Sequence, residues 1–198
     1  MNHLEAVLRA AALDLAELRL RWALVGGLAV SARTEPRFTR DVDLVIAVRG
    51  DPDAEQAVHA LQQRGYRLQT LVEQEAAGRL ATARLLAKGG DEDAVVLDIL
   101  FASSGIEPEI VEAAEPLEIL SGLRVPVATI GHLLALKLLS RDDRTRPQDR
   151  VDLAQLVRAA ALADIDVARR AVALIQARGF QRDRDLCRDL ERLIVHGI

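Results

Sequence analysis

The sequence predicts an α+β (α/β) protein, and three observations carry that reading. Apolar runs of strand length alternate with helical patterns up to about residue 125. From Thr129 onward the apolar residues keep helical spacing. A strand breaks at Gly26-Gly27 straight into a short helical pattern, the form of a strand–turn–helix unit. Residues 1–125 are therefore expected to form a core, and residues 126–198 a C-terminal helical region packed on it.

Taken in order, residues 3–19 place Leu4, Val7, Leu8, Ala11, Leu15 and Leu18 on one helical face. Trp22–Val25 is a short apolar strand, and Leu28–Arg33 a helix leaving the glycine turn. A polar link holding Pro36 leads to a strand at Asp41–Val48. Gly50-Asp51-Pro52 turns the chain into a helix over Ala54–Arg64, stopped by Gly65. Tyr66–Val72 is a strand, and Leu80–Ala87 with Ala94–Ala102 reads as a hairpin closed by the turn-rich segment Lys88–Asp93. Ser103–Glu118 reads as an acidic loop and Leu120–Val127 as one more strand. Thr129 is a suitable N-cap for a helix over Ile130–Ser140. A charged link precedes Pro147, and helices follow over Asp149–Ala161, Asp166–Arg178 and Asp183–Val195.

Composition narrows the function classes. Half of the 198 residues are apolar and 28% are charged, which suits a packed globular chain. Aromatic residues make up 3%, too few to stack many bases, and the net charge of −4 argues against a broad nucleic-acid surface. The single cysteine, Cys187, excludes an internal disulfide framework and a cysteine-based zinc site. His3, His59, His132 and His196 lack ligand-like spacing, and Cys187 reads as a core thiol. The N-terminus has no signal-peptide character and no apolar run is long enough to span a bilayer, so a cytoplasmic protein with no membrane partner is expected.

The chemistry is concentrated in acids set into apolar strands. Asp41 and Asp43 are two residues apart on one strand and so point to the same side of a sheet. With roots about 6–7 Å apart they repel by roughly 2–3 kcal/mol at an effective dielectric of about 20, which calls for a cation. Asp98 stands alone inside AVVLDILFA, where a central strand has no water to solvate it. If the two strands are neighbours, three carboxylates converge on one or two Mg²⁺ ions, a hard cation that keeps open positions for phosphate. The Gly26-Gly27 turn ahead of them opens a helix, where backbone N–H groups favour an anion. Lys137 is the only charged residue of its apolar helix. Each feature alone is commonplace: a tight turn, a strand-end acid, a lysine reaching the surface. Together they outline a site for phosphoryl or nucleotidyl transfer.

The order strand–Gly26-Gly27–helix–Asp41-x-Asp43–strand, with Asp98 later, resembles the signature of the polymerase-beta-like nucleotidyltransferase superfamily; thirteen residues separate Gly27 from Asp41. Lys137, Arg144 and RPQDRVDLAQL with Asp149 and Asp152 bring the likeness closest to AbiEii-type nucleotidyltransferases of type IV toxin–antitoxin systems, over roughly residues 20–160. The resemblance implies a short mixed sheet with flanking helices. It implies that Asp41 and Asp43 bind the metal pair, with Mn²⁺ as a substitute for Mg²⁺. Asp98 completes the shell or orients the attacking hydroxyl, and Lys137 reaches the triphosphate with Arg144 assisting. Asp149 or Asp152 fills the acidic position of the C-terminal motif. Gly27 stands where many relatives carry serine, and Ser31 lies a turn later. The implied reaction is NMP transfer from an NTP, such as ATP, to an acceptor hydroxyl on RNA (a tRNA end) or protein, with an antitoxin protein as partner. The alternatives are a small aminoglycoside-like acceptor, or a non-catalytic nucleotide-binding relative. Arg141, Arg144, Arg146, Arg150 and Arg158 are candidates for a local basic edge toward RNA.

Overall fold

The computed structural model describes residues 3–74, 78–88, 95–142, 145 and 147–197. Seven strands form one mixed sheet: β1 (Trp22–Val25), β2 (Val42–Ile46), β3 (Arg67–Gln74), β4 (Arg79–Leu86), β5 (Val96–Leu100), β6 (Glu115–Leu120) and β7 (Leu123–Val127). Their order across the sheet is β3-β4-β5-β2-β1-β7-β6. β1 runs antiparallel to β2 and parallel to β7, while β2 runs parallel to β5. The apolar runs of β1, β2 and β5 read as they do because these strands are central. Leu24, Leu44 and Ile99 have no exposed surface, and each such side chain contributes roughly 1.5–3 kcal/mol by burial. With so few aromatic residues, the core is built from Leu, Val, Ile and Ala.

Eight helices complete the described chain: α1 (His3–Glu17), α2 (Gly26–Arg33), α3 (Asp51–Gln63), α4 (Glu107–Ala113), α5 (Ile130–Ser140), α6 (Gln148–Ala159), α7 (Leu162–Ala177) and α8 (Leu186–His196). α5 is the hub of the C-terminal half, packed against α6, α7 and α8 and also against α2 beside the sheet. Its sequence IGHLLALKLLS is apolar nearly all round because neighbours cover most of its surface. Thr129 caps it, accepting the His132 backbone N–H, and the buried His132 ring meets the same hydroxyl through Nδ1 at 2.9 Å. Cys187 is half-buried and packs against the core.

Several expectations change. Ser103–Glu118 is not a loop: it holds α4 and β6. Its polar residues build a hydrogen-bonded turn ahead of α4, where Glu107 Oε1 accepts from Ser104 N (2.7 Å), Ser104 Oγ (2.8 Å) and Ser103 Oγ (3.2 Å), with a proline in the first helical turn. β6 looked irregular because it is an edge strand with its polar residues outward. α2 starts at Gly26 itself rather than at Leu28, and β2 begins at Val42, leaving Asp41 just ahead of it. α7 starts at Leu162, four residues early, because Asp164 accepts the Ala161 backbone N–H. β4 and β5 pair antiparallel, as a hairpin requires, while most of the connecting segment at Lys88–Asp93 lies outside the described residues.

Candidate functional site

The register of the sheet assembles the acids. β1 puts Val25 opposite Asp43, β2 puts Asp43 beside Asp98 on β5, and β4 puts Arg84 beside Asp98. Asp43, Asp98 and Arg84 are therefore successive side chains along one row of the sheet. Asp41, two residues before Asp43, adds its charge to the same face. The row forms one wall of a cleft of about 670 Å³, whose lining also includes Gly26, Gly27, Arg37, Thr39 and Lys137.

The turn between β1 and α2 is shaped around Asp43. Gly26 has φ +64°, and a Cβ there would lie 1.9 Å from Asp43 Oδ2. Conformation and space both demand glycine. The Gly27 backbone N–H then favours the Asp43 carboxylate, which sits at the start of α2 where negative charge is stabilised.

Even so, Asp43 is poorly compensated. Burial, followed by repulsion from Asp98, pushes its pKa up to about 6, against the pull of Lys137 and the Gly27 N–H. Asp41 is raised as well, first by burial and then by Asp98, with Arg84 and Arg40 opposing. Asp98 is buried, and both its oxygens are taken by Arg84, through Nε at 2.9 Å and Nη2 at 2.8 Å. Of the three carboxylates, Asp98 alone is bound by a guanidinium among the described residues.

The opposite wall is arranged differently. Lys137 Nζ lies 2.8 Å from Asp149 Oδ1 and 2.8 Å from Asp152 Oδ2. Arg37 grips Asp152 with Nε and Nη2, each at 2.7 Å, and Gln148 adds a bond at 3.3 Å. Burial alone would raise the Asp152 pKa; the bonds from Arg37 and Lys137 outweigh it and hold the carboxyl below its usual range. Asp149 and Asp152 are both buried, and Asp149 also accepts from Ser140 Oγ at 3.3 Å.

The structure thus brings Asp41, Asp43, Asp98, Gly26, Gly27 and Lys137 to one cleft. Asp149 and Asp152 stand behind Lys137 rather than in the lining. Ser31 is turned to the link after α2, accepting the Arg37 backbone N–H at 3.3 Å. Arg144 and Arg146 lie outside the described residues. Sequence reasoning passed over Arg37, Thr39 and Arg84. Arg84 had a signal, a lone cation within the strand LATARLL, and Arg37 and Thr39 stand just ahead of the acidic pair.

All three strand acids offer hard oxygen ligands, and two of them carry negative charge that the protein leaves partly unmet, a donor set that suits a divalent cation. Among the described residues, the side chains as they stand form no group of three or more that could hold a metal ion.

No curated protein matches this chain. Among solved structures it is similar to an antigenic nucleotidyltransferase-like protein from Paracoccidioides brasiliensis (TM-score 0.56, 21% identity, 98% of this chain and 97% of that one). It is also similar to ANT(2")-Ia in complex with adenylyl-2"-tobramycin (TM-score 0.57, 17% identity, 88% and 98%). A third likeness is to the lincosamide antibiotic adenylyltransferase LnuA, lincomycin-bound (TM-score 0.50, 15% identity, 79% and 98%). At these identities the likeness shows a shared nucleotidyltransferase fold. A family model described as nucleotidyl transferase AbiEii toxin, type IV TA system, matches residues 7–195, and with nearly its whole length covered the chain belongs to that family.

Proposed function

We propose that this protein is a Mg²⁺-dependent nucleotidyltransferase that moves an NMP from an NTP to a hydroxyl on RNA, acting as the toxin of a type IV toxin–antitoxin pair. The observation that carries the reading is the alignment of Asp43, Asp98 and Arg84 along one row of the sheet, with Asp41 beside them and the start of α2 in front. Asp41, Asp43 and Asp98 would hold the metal, which supplies charge neutralisation at the transferring phosphoryl group. In the reaction the acceptor oxygen bonds to the α-phosphorus, the bond from that phosphorus to its β-bridging oxygen breaks, and pyrophosphate leaves. The hydroxyl proton passes to a carboxylate of the strand cluster. Asp98, paired with Arg84 in this structure, would complete the metal's shell or orient that hydroxyl, and Arg84 would face an acceptor phosphate. Lys137 lends positive charge to the cleft while anchored on Asp149 and Asp152.

An RNA acceptor is supported by Arg84 and Arg182 of the lining, side chains that can meet the phosphates of a nucleic-acid strand. A second reading, transfer to a small hydroxylated molecule, is supported by the size of the cleft, which falls in the range of small-molecule sites. Incubation with each α-labelled NTP, Mg²⁺ and total RNA, beside an Asp41→Asn/Asp43→Asn control, tests the proposal. Label on RNA supports it, and label on a small hydroxylated acceptor instead supports the second reading. No label on any acceptor, together with no Mg²⁺-dependent triphosphate binding, overturns both.

A further inference from the structure

Gly27 stands where the resemblance leads one to expect a serine hydroxyl against phosphate, and other side chains fill that space. A Cβ on Gly27 would lie 2.8 Å from Arg37 Nη2, 2.8 Å from Thr39 Oγ1 and 3.2 Å from Arg37 Cζ. Both residues line the cleft. The Gly27 backbone N–H already serves Asp43, so a phosphate arriving at this turn needs donors from elsewhere.

Arg37 is built to supply them. Its Nε and Nη2 hold Asp152, and its Nη1 donates to the Phe38 carbonyl at 3.0 Å. These bonds use three of the five N–H groups of a guanidinium. One N–H on each terminal nitrogen remains, and the side chain keeps 18% of its surface exposed, whereas Asp152 keeps none. The fork is anchored from behind by a buried carboxylate that Lys137 also holds, at 2.8 Å. A guanidinium fixed in this way loses little freedom on gripping a phosphate, and its planar donors match phosphate oxygens.

We infer that Arg37 and Thr39 form the polyphosphate-binding edge of the cleft, and that residue 27 is glycine because a side chain there would displace them. The inference rests on the nucleotidyl-transfer reading and names the part of that site that holds the leaving phosphates. It carries an unusual consequence. Gly27→Ser, which adds the hydroxyl that the resemblance leads one to expect, weakens triphosphate binding here, because its Cβ collides with Arg37 and Thr39.

The test is calorimetric titration, with Mg²⁺, of inorganic tripolyphosphate, of a non-hydrolysable α,β-methylene nucleoside triphosphate and of the matching monophosphate. Wild type is compared with Arg37→Gln, Thr39→Val and Gly27→Ser. Arg37→Gln is expected to lose about 10–100-fold in affinity for the two polyphosphates, the worth of hydrogen bonds from a charged group, with little change for the monophosphate. Thr39→Val and Gly27→Ser are expected to lose about 3–10-fold, again selectively. Wild-type polyphosphate affinity in Gly27→Ser, or in folded Arg37→Gln, overturns the inference. Should Arg37→Gln fail to fold for want of a partner to Asp152, Gly27→Ser decides alone. A wild-type protein that binds no triphosphate at all is a separate result, and it overturns the function together with the inference.

Discussion

On the sheet side of the cleft, Arg84 is the one cation among the described residues that is bonded to the acids Asp41, Asp43 and Asp98, and it bonds Asp98. On the helix side, Asp149 and Asp152 have two, Lys137 and Arg37. The first set is left with excess negative charge, and burial and mutual repulsion raise Asp41 and Asp43. The second set is neutralised, and its buried member Asp152 is held low. Both are groups of acids near apolar surface, yet one is left with part of its negative charge unmet and the other fixes two cations in place. Unmet charge in a cleft marks a site prepared for a ligand, while matched charge in the interior marks a scaffold.

The largest effect separating the two is on chemistry. Asp41→Asn/Asp43→Asn is expected to lower NMP transfer by about 1,000-fold or more while leaving the fold intact, read by label transfer and circular dichroism. Next comes stability on the helix side. Asp152→Ala leaves Arg37 and Lys137 short of a buried partner and is expected to cost about 3–5 kcal/mol in denaturant unfolding. A result under about 1 kcal/mol would erase the distinction between the clusters.

The third prediction reverses the sign. The folded pKa of Asp43, about 6, lies above its unfolded value of about 3.9, so the folded state penalises the charged form. That penalty is absent below about pH 4, grows through pH 6 and is complete above it. Without metal, Asp43→Asn is therefore expected to stabilise the protein at pH 8, by about 1–3 kcal/mol at most, and to leave it unchanged at pH 4. Thermal melts at the two pH values, with EDTA present, check this. The smallest effect belongs to Arg84→Gln. Its side chain is nearly half exposed, which screens the pair, but its loss leaves the buried Asp98 carboxylate without its partner, so the expected cost in the same melts is about 1–2 kcal/mol.

Much of this contrast could be read along the chain, because its donor half is local. Gly26-Gly27, Asp41 and Asp43 fall within one strand–helix–strand unit, and alternation alone puts the two acids on one face. The α5 helix was equally plain, since an N-cap and a continuous apolar run announce it. α4 was hidden because the serines ahead of it and its early proline have the composition of a loop, and only the bonds of Ser103 and Ser104 to Glu107 show what the serines do. Arg37 and Arg84 were hidden for a related reason. A surface arginine and a site arginine have the same neighbours in sequence, and they differ only in what they face.

By itself the sequence determined the alternation of strand and helix, the helical C-terminal half and the identity of the strand acids. Those properties follow from periodicity and from the cost of burying charge, both written in neighbouring residues. Only the tertiary structure decided which carboxylates are satisfied. Arg84 meets Asp98 across 14 positions of chain and Arg37 meets Asp152 across 115, and pairing over such separations is set by sheet register and helix packing. Gly27 shows both levels at once: the sequence marks a glycine turn, and the fold shows Arg37 and Thr39 filling the space that a side chain there would need.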